Sequence, residues 1–169
     1  MIFLGIDPGL SGAVARWTPA IKSLVVLDMP TLKLRKGSQA RTLDVIALAR
    51  IMDDLCAETP TLALIEQAFA QQSKERRNSA ATIHKNGINW GAAYGVLCAQ
   101  YVPVDIVPAN TWKAAMRCPA AKDGARARAS QVLPQFASLW SRPKDDGRAE
   151  AALIALYAEK RFLHRAVTP

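Results

Sequence analysis

The sequence predicts one α/β domain built on a mixed sheet. Two observations carry this. The apolar segments follow the order strand, strand, strand, helix, strand, helix, strand and then helices, a succession that packs helices against a sheet. The 169 residues, half of them apolar, suffice for one sizeable core and fall short of two, so residues 1–169 are expected to form a single domain.

Each element has its own signal. Ile2–Ile6 is an apolar run that stops at Asp7-Pro8-Gly9, a turn signal. Ala13–Trp17 and Leu24–Leu27 supply the next two strands of a meander. Thr31–Gln39, polar and basic with Lys33, Arg35 and Lys36, reads as a loop. Leu43, Ile46, Ala47, Ile51 and Leu55 recur at helical spacing, with Thr42 as the expected cap. Thr61–Ile65 is a buried strand that ends at Glu66, and the charged stretch Gln71–Asn78 reads as a loop. Ser79–Gln100 reads as a long helix, Val102–Val107 as a strand and Asn110–Met116 as a short helix. Another helix is expected after Asp123, and Asp146–Phe162 closes the chain as a helix with a strongly apolar face. There is no internal repeat, linker or low-complexity tract.

The net charge is +8 and the pI about 9.8. A soluble protein this basic usually has a polyanionic partner, most often nucleic acid; the plainer reading is a solvated basic surface. Cys56, Cys98 and Cys118 are far apart, odd in number and form no C-x-x-C pair. That argues for a reducing cytosol and against a disulfide framework or zinc knuckle. Met1–Asp7 has no basic leader region and Asp7 interrupts its apolar run, so no signal peptide is expected. No stretch of ~18 apolar residues exists to span a membrane. The expected location is the cytoplasm.

The chemistry lies in the carboxylates. Asp7 and Glu66 each end a strand of otherwise apolar residues, a costly placement unless something pairs with them. Two in one sheet suggest a shared cation; the plainer alternative is that each caps a turn. Asp145, Asp146 and Glu150 form a third group. Asp146 and Glu150 are four apart, hence on one helical face, where like charges repel unless a cation or proton offsets them. Asp145 or Asp146 also suits a helix N-terminus as a simple cap. Together these groups make a three- or four-carboxylate site: Asp7, Glu66, Glu150 and Asp146, with Asp145 as the alternative fourth. Hard oxygen ligands select magnesium or manganese. Two such ions about 4 Å apart activate a water and stabilise the leaving oxygen of a phosphodiester. A basic body around an acidic pocket fits a nuclease.

Four segments carry a resemblance. Gly-Ile-Asp-Pro-Gly-Leu-Ser-Gly-Ala at 5–13, Leu-Ile-Glu-Gln-Ala-Phe at 64–69, Val-Pro-Ala-Asn-Thr-Trp-Lys at 107–113 and Asp-Gly-Arg-Ala-Glu-Ala at 146–151 resemble, in order and spacing, the motifs of the RuvC family of Holliday junction resolvases. The resemblance implies an RNase H-like fold, a central mixed five-stranded sheet flanked by helices. It implies a magnesium-dependent endonuclease that resolves four-way DNA junctions by paired nicks, acting as a homodimer. The sequence departs from the pattern at one point. The family usually has two aspartates three residues apart in the last motif, whereas Gly147 stands three before Glu150.

Other residues are weighed beside these. Gly87, Gly91 and Gly95 form a row along the long helix. Glycine there costs about 1 kcal/mol per site, so the row marks a close approach, either at the dimer interface that the resemblance implies or against the chain's own sheet. Phe69 is either a wedge between bases or a core residue. Lys74, Arg76 and Arg77 are expected on phosphates or in solvent. Lys113 and Lys122 precede the acidic helix, and either suits the charge developing on a scissile phosphate; Lys113 has the better family match. Trp17, Trp90, Trp112 and Trp140 read as core, and His84 and His164 match no ligand spacing. No small-molecule cofactor is expected. Rival functions are a flap, fork or RNA-processing nuclease on the same fold, and a non-catalytic DNA-binding protein.

Overall fold

The computed structural model describes residues 1–35, 40–57, 60–67, 72–73, 76–77 and 79–167. Its strands and helices are β1 (Ile2–Asp7), β2 (Ala13–Thr18), β3 (Ser23–Asp28), β4 (Thr31–Lys33), β5 (Arg41–Leu43), α1 (Val45–Cys56), β6 (Thr61–Glu66), β7 (Gln72–Ser73), β8 (Arg76–Arg77), α2 (Ala80–Ala99), β9 (Val104–Val107), α3 (Ala109–Ala115), α4 (Gly124–Val132) and α5 (Asp146–Val167). The central sheet has five strands in the order β3-β2-β1-β6-β9. β1 pairs antiparallel with β2, and β2 with β3, while β6 runs parallel to β1 and β9 parallel to β6. This is the mixed five-stranded sheet flanked by helices that the sequence leads one to expect.

Strand alternation sorts the core into two layers. Ile2, Leu4 and Ile6 pack with Leu48 and Met52 of α1 and Val96 and Leu97 of α2. Phe3 and Leu64 face the other way, toward α5, whose Ala151, Ala152, Ala155 and Ala158 are fully buried. α5 lies directly on β1. A side chain at Gly5 would meet Ala151 O and Ala155 N, each 2.2 Å from its Cβ. Small residues on both surfaces therefore set how close the helix comes to the sheet.

Three local expectations are corrected. Thr31–Gln39 is not all loop, because β4 pairs with β5, Thr31 opposite Leu43; strands of three residues are too short to show an alternation. Two-residue strands likewise occur in Gln71–Asn78, where Gln72 pairs with Arg77 and Ser73 with Arg76. Thr42 lies in β5, and α1 is capped by Asp44, whose carboxylate accepts from Ala47 N at 3.0 Å. Ser79 caps α2 by accepting from Thr82 N.

Candidate active site

Register brings Asp7 and Glu66 together. Ile6 stands opposite Ile65 on parallel strands, so the next residues, Asp7 and Glu66, lie side by side at the strand ends. By alternation they share the face of Phe3 and Leu64, the face α5 covers. The first turn of α5 presses on the turn after β1. A Cβ at Gly147 would lie 2.4 Å from Ser11 O, 2.6 Å from Gly12 Cα and 3.0 Å from Asp7 Oδ2. One turn later Glu150 enters the same electrostatic neighbourhood. The Asp7 carboxyl is pushed up to about 7, first by burial, then by the charge of Glu150 and to a lesser extent Glu66, against the Gly9 N–H bond and Lys113. Glu66 is raised by burial, with Glu150 adding to it and the Trp112 hydrogen bond opposing it. Beside Asp7 and Glu66 lies a cleft of about 230 Å³, whose other walls include Pro8, Gly9, Gln67, Asn89 and Trp90.

β9 adjoins β6 on the side away from β1. Val107 pairs with Glu66, and α3 begins two residues later with Trp112 and Lys113 on it. Trp112 is fully buried, and its indole N–H donates to Glu66 Oε2 at 2.6 Å. The Trp90 indole N–H donates to the Glu66 backbone oxygen at 2.8 Å while its ring stacks on Tyr94. Lys113 Nζ lies 2.6 Å from Glu150 Oε1 and 5.2 Å from the centre of the Trp112 ring. Burial alone would lower the Lys113 pKa; the bond to Glu150 and the charges of Glu150 and Glu66 outweigh it, and the group is raised.

Both candidates for the fourth acid are engaged by arginines. Asp146 Oδ1 accepts from Arg126 Nε at 2.5 Å. Asp145 is buried and held by Arg142, with both carboxylate oxygens 2.9 Å from the guanidinium and a further bond from Arg142 N. Arg142 accordingly holds the Asp145 carboxyl below its usual range. The position three before Glu150 carries glycine because Ser11, Gly12 and Asp7 leave no room for a side chain. The cluster is thus Asp7, Glu66 and Glu150, with Lys113 beside it.

That donor set suits a hard divalent cation: all its ligands are carboxylate oxygens, and their mutual repulsion is what such an ion relieves. Among the described residues no three His, Cys, Asp or Glu side chains converge on one point. Glu150 is turned onto Lys113, and one oxygen of Glu66 onto Trp112.

The remaining expected residues are dispersed. Lys122 is exposed between α3 and α4. Phe69, Lys74 and the side chains of Arg76 and Arg77 lie outside the described residues, as does that of His164. Arg126 and Arg128 are engaged within the protein, Arg126 Nε with Asp146 Oδ1 and Arg128 Nε donating to Met116 O at 2.6 Å. Gly87, Gly91 and Gly95 are exposed, with nothing within 4 Å of a Cβ at any of them. That overturns packing against the chain's own sheet as the reason for the row. The clamping tryptophans were missed. The available signal for Trp112 was its adjacency to Lys113 just after a strand.

No family model matches the sequence, and no curated protein matches it. Solved structures do. Thermus thermophilus RuvC in complex with a Holliday junction substrate aligns with a TM-score of 0.59 at 22% identity, over 99% of this chain and 97% of that one. The fold is that of RuvC. A second Thermus thermophilus RuvC structure aligns with a TM-score of 0.56 at 18% identity, over 98% of this chain and 97% of that chain. The RuvC fold accounts for the chain almost end to end, including the RNase H-like sheet whose neighbouring central strands carry Asp7 and Glu66. Among the described residues no helix is long and apolar enough to cross a membrane.

Proposed function

We propose that this chain is a divalent-metal-dependent endodeoxyribonuclease that resolves four-way DNA junctions by paired symmetric nicks, working as a homodimer in the cytoplasm. The observation that carries the reading is the clustering of Asp7, Glu66 and Glu150 beside Lys113 on a RuvC-fold sheet. Asp7, Glu66 and Glu150 would hold magnesium or manganese, two ions in the working site, and Asp146 would join them on release from Arg126. Held there, the metal would supply an activated water and charge neutralisation at the leaving oxygen. Lys113, freed from Glu150, meets the scissile phosphate, where a preorganised donor of this kind contributes about 3–4 kcal/mol. Trp112 and Trp90 fix Glu66 so that one of its oxygens stays available.

The basic body holds the phosphate backbone, with Lys74, Arg76, Arg77 and Lys122 as contacts and Phe69 as a wedge at the branch point. Two nicks in opposing strands need two sites related by two-fold symmetry. The exposed Gly87, Gly91 and Gly95 row, flanked by exposed Ile83 and Ile88, is the surface assigned to that interface. No small-molecule cofactor enters the reaction.

The test is a panel of a synthetic four-way junction, linear duplex, flap and replication fork, each with and without magnesium. The junction is expected to be cut in preference and only with metal. A preference for flap or fork would make the chain a different branched-DNA nuclease. Binding without cutting in magnesium and manganese would make it a non-catalytic DNA-binding protein.

A further inference from the structure

A second cleft of about 390 Å³ adjoins the acidic one, lined in part by Ser11, Gly12, Thr31, Arg41, Arg142 and Lys144. Leu10 lines both clefts, so the turn after Asp7 is their common wall. The second cleft also joins the two segments that carry the chemistry. Ser11 follows Asp7 by four residues, and Lys144 lies two residues before the start of α5, the helix of Glu150.

The charges in this cleft do not cancel. Asp28 lines it, but both its oxygens are taken by Arg148, at 2.5 and 2.6 Å. Asp145 lines it too, and is taken by Arg142. Arg41 and Lys144 remain, both exposed and without a carboxylate partner among the described residues. Arg41 makes one long bond, to Ser11 Oγ at 3.4 Å, leaving most of its donor fork open. Two unneutralised cations beside two hydroxyls form a receptor for a multi-oxygen monoanion, the chemistry of a phosphodiester.

We infer that this cleft holds a backbone phosphate of the strand being cut, next to the scissile one, an assignment that rests on the nuclease reading above. Its role is positional. Phosphate contacts fix the register of a strand without reading its sequence. Because the same turn carries Asp7 and walls the cleft, a phosphate seated on Arg41 and Lys144 sets which phosphodiester lies over the carboxylates.

The experiment measures junction binding in an Asp7→Asn parent, so that cutting does not interfere. The parent is compared with the same protein carrying Arg41→Gln and Lys144→Gln. A charge-matched control carries Lys22→Gln and Lys160→Gln, two exposed residues near the other end of the sheet. Loss of one phosphate contact should lower the slope of log affinity against log salt by about 0.9, so the affinity lost between 50 and 200 mM salt shrinks about 3.5-fold. A second arm places single neutral methylphosphonates on either side of the cut, which separates a DNA phosphate from free phosphate ion. The parent should lose affinity at one adjacent position, and the Arg41→Gln, Lys144→Gln protein should be indifferent there. An unchanged slope, an equal change in the control, or no methylphosphonate position that separates parent from variant overturns the assignment. A parent that fails to bind the junction overturns the nuclease reading itself, and does so before any cleft residue is changed.

Discussion

Asp7→Asn is expected to stabilise the metal-free protein while abolishing cutting. The Asp7 carboxyl rises from 3.8 to about 7 on folding, mainly through burial and the Glu150 charge. An acid raised in this way binds its proton more tightly in the native state than in the unfolded one. Its stabilising contribution is therefore present at low pH and is lost as pH climbs from about 4 through 7. At about 1.36 kcal/mol per pH unit the full shift amounts to about 4 kcal/mol above neutrality, of which roughly 1.7 kcal/mol is already lost at pH 5. Asparagine removes the charge and keeps the oxygen that accepts from Gly9 N. The stability gap between variant and wild type should thus widen by up to about 2.6 kcal/mol between pH 5 and pH 8.5, and water in the open cleft reduces this toward about 1 kcal/mol. Denaturant unfolding in EDTA at the two pH values measures it. Magnesium at pH 8.5 should then stabilise the wild type and not the variant, because only the native carboxylate cluster binds it. A variant less stable than wild type at both pH values, with a gap independent of pH, would refute the reasoning.

Three further substitutions probe the rest of the site. Trp112→Phe keeps a large ring in the core but removes the bond to Glu66; it should cost about 1–3 kcal/mol in denaturant unfolding and raise the magnesium needed for half-maximal cutting, and no change in either would clear Trp112 of a positioning role. Gly147→Ala forces a Cβ to within 2.4 Å of Ser11 O; displacement of α5 from the Asp7 turn should cost about 1–3 kcal/mol and depress cutting, so a stable, fully active variant contradicts the packing described. Gly91→Leu adds bulk to an exposed position with nothing near it; the monomer should remain folded while sedimentation at micromolar concentration shows weakened dimerisation, and a wild type that is strictly monomeric removes the interface assignment.

The sheet was legible because its strands are long enough to show their pattern: Ile2–Ile6 and Thr61–Ile65 are apolar runs that stop at an acid. That pattern also located Asp7 and Glu66, since a carboxylate at the end of a buried strand is conspicuous. The fourth acid was not legible. Asp145, Asp146 and Glu150 are equivalent as letters, and only the structure shows which cation each one meets: Arg142, Arg126 and Lys113 respectively. Arg126 and Arg128 show the same limit: they add to the net charge of the sequence, but their partners lie within the protein. The glycine row announced a close approach by its spacing, and only the three-dimensional packing showed that its face is turned away from the chain's own core. The second cleft had no sequence signal, because Ser11, Arg41 and Lys144 come from three distant segments.

The most direct test of the central claim uses a supercoiled plasmid that extrudes a cruciform, incubated with the wild-type protein and magnesium, beside the same plasmid without the inverted repeat. Paired nicks across the junction in one binding event convert circles to linear molecules; single nicks leave open circles. The account predicts linear product from the cruciform plasmid, none from the control plasmid, and none with Asp7→Asn or Glu150→Gln. Equal cutting by Asp7→Asn, or linear product from both plasmids alike, would contradict it.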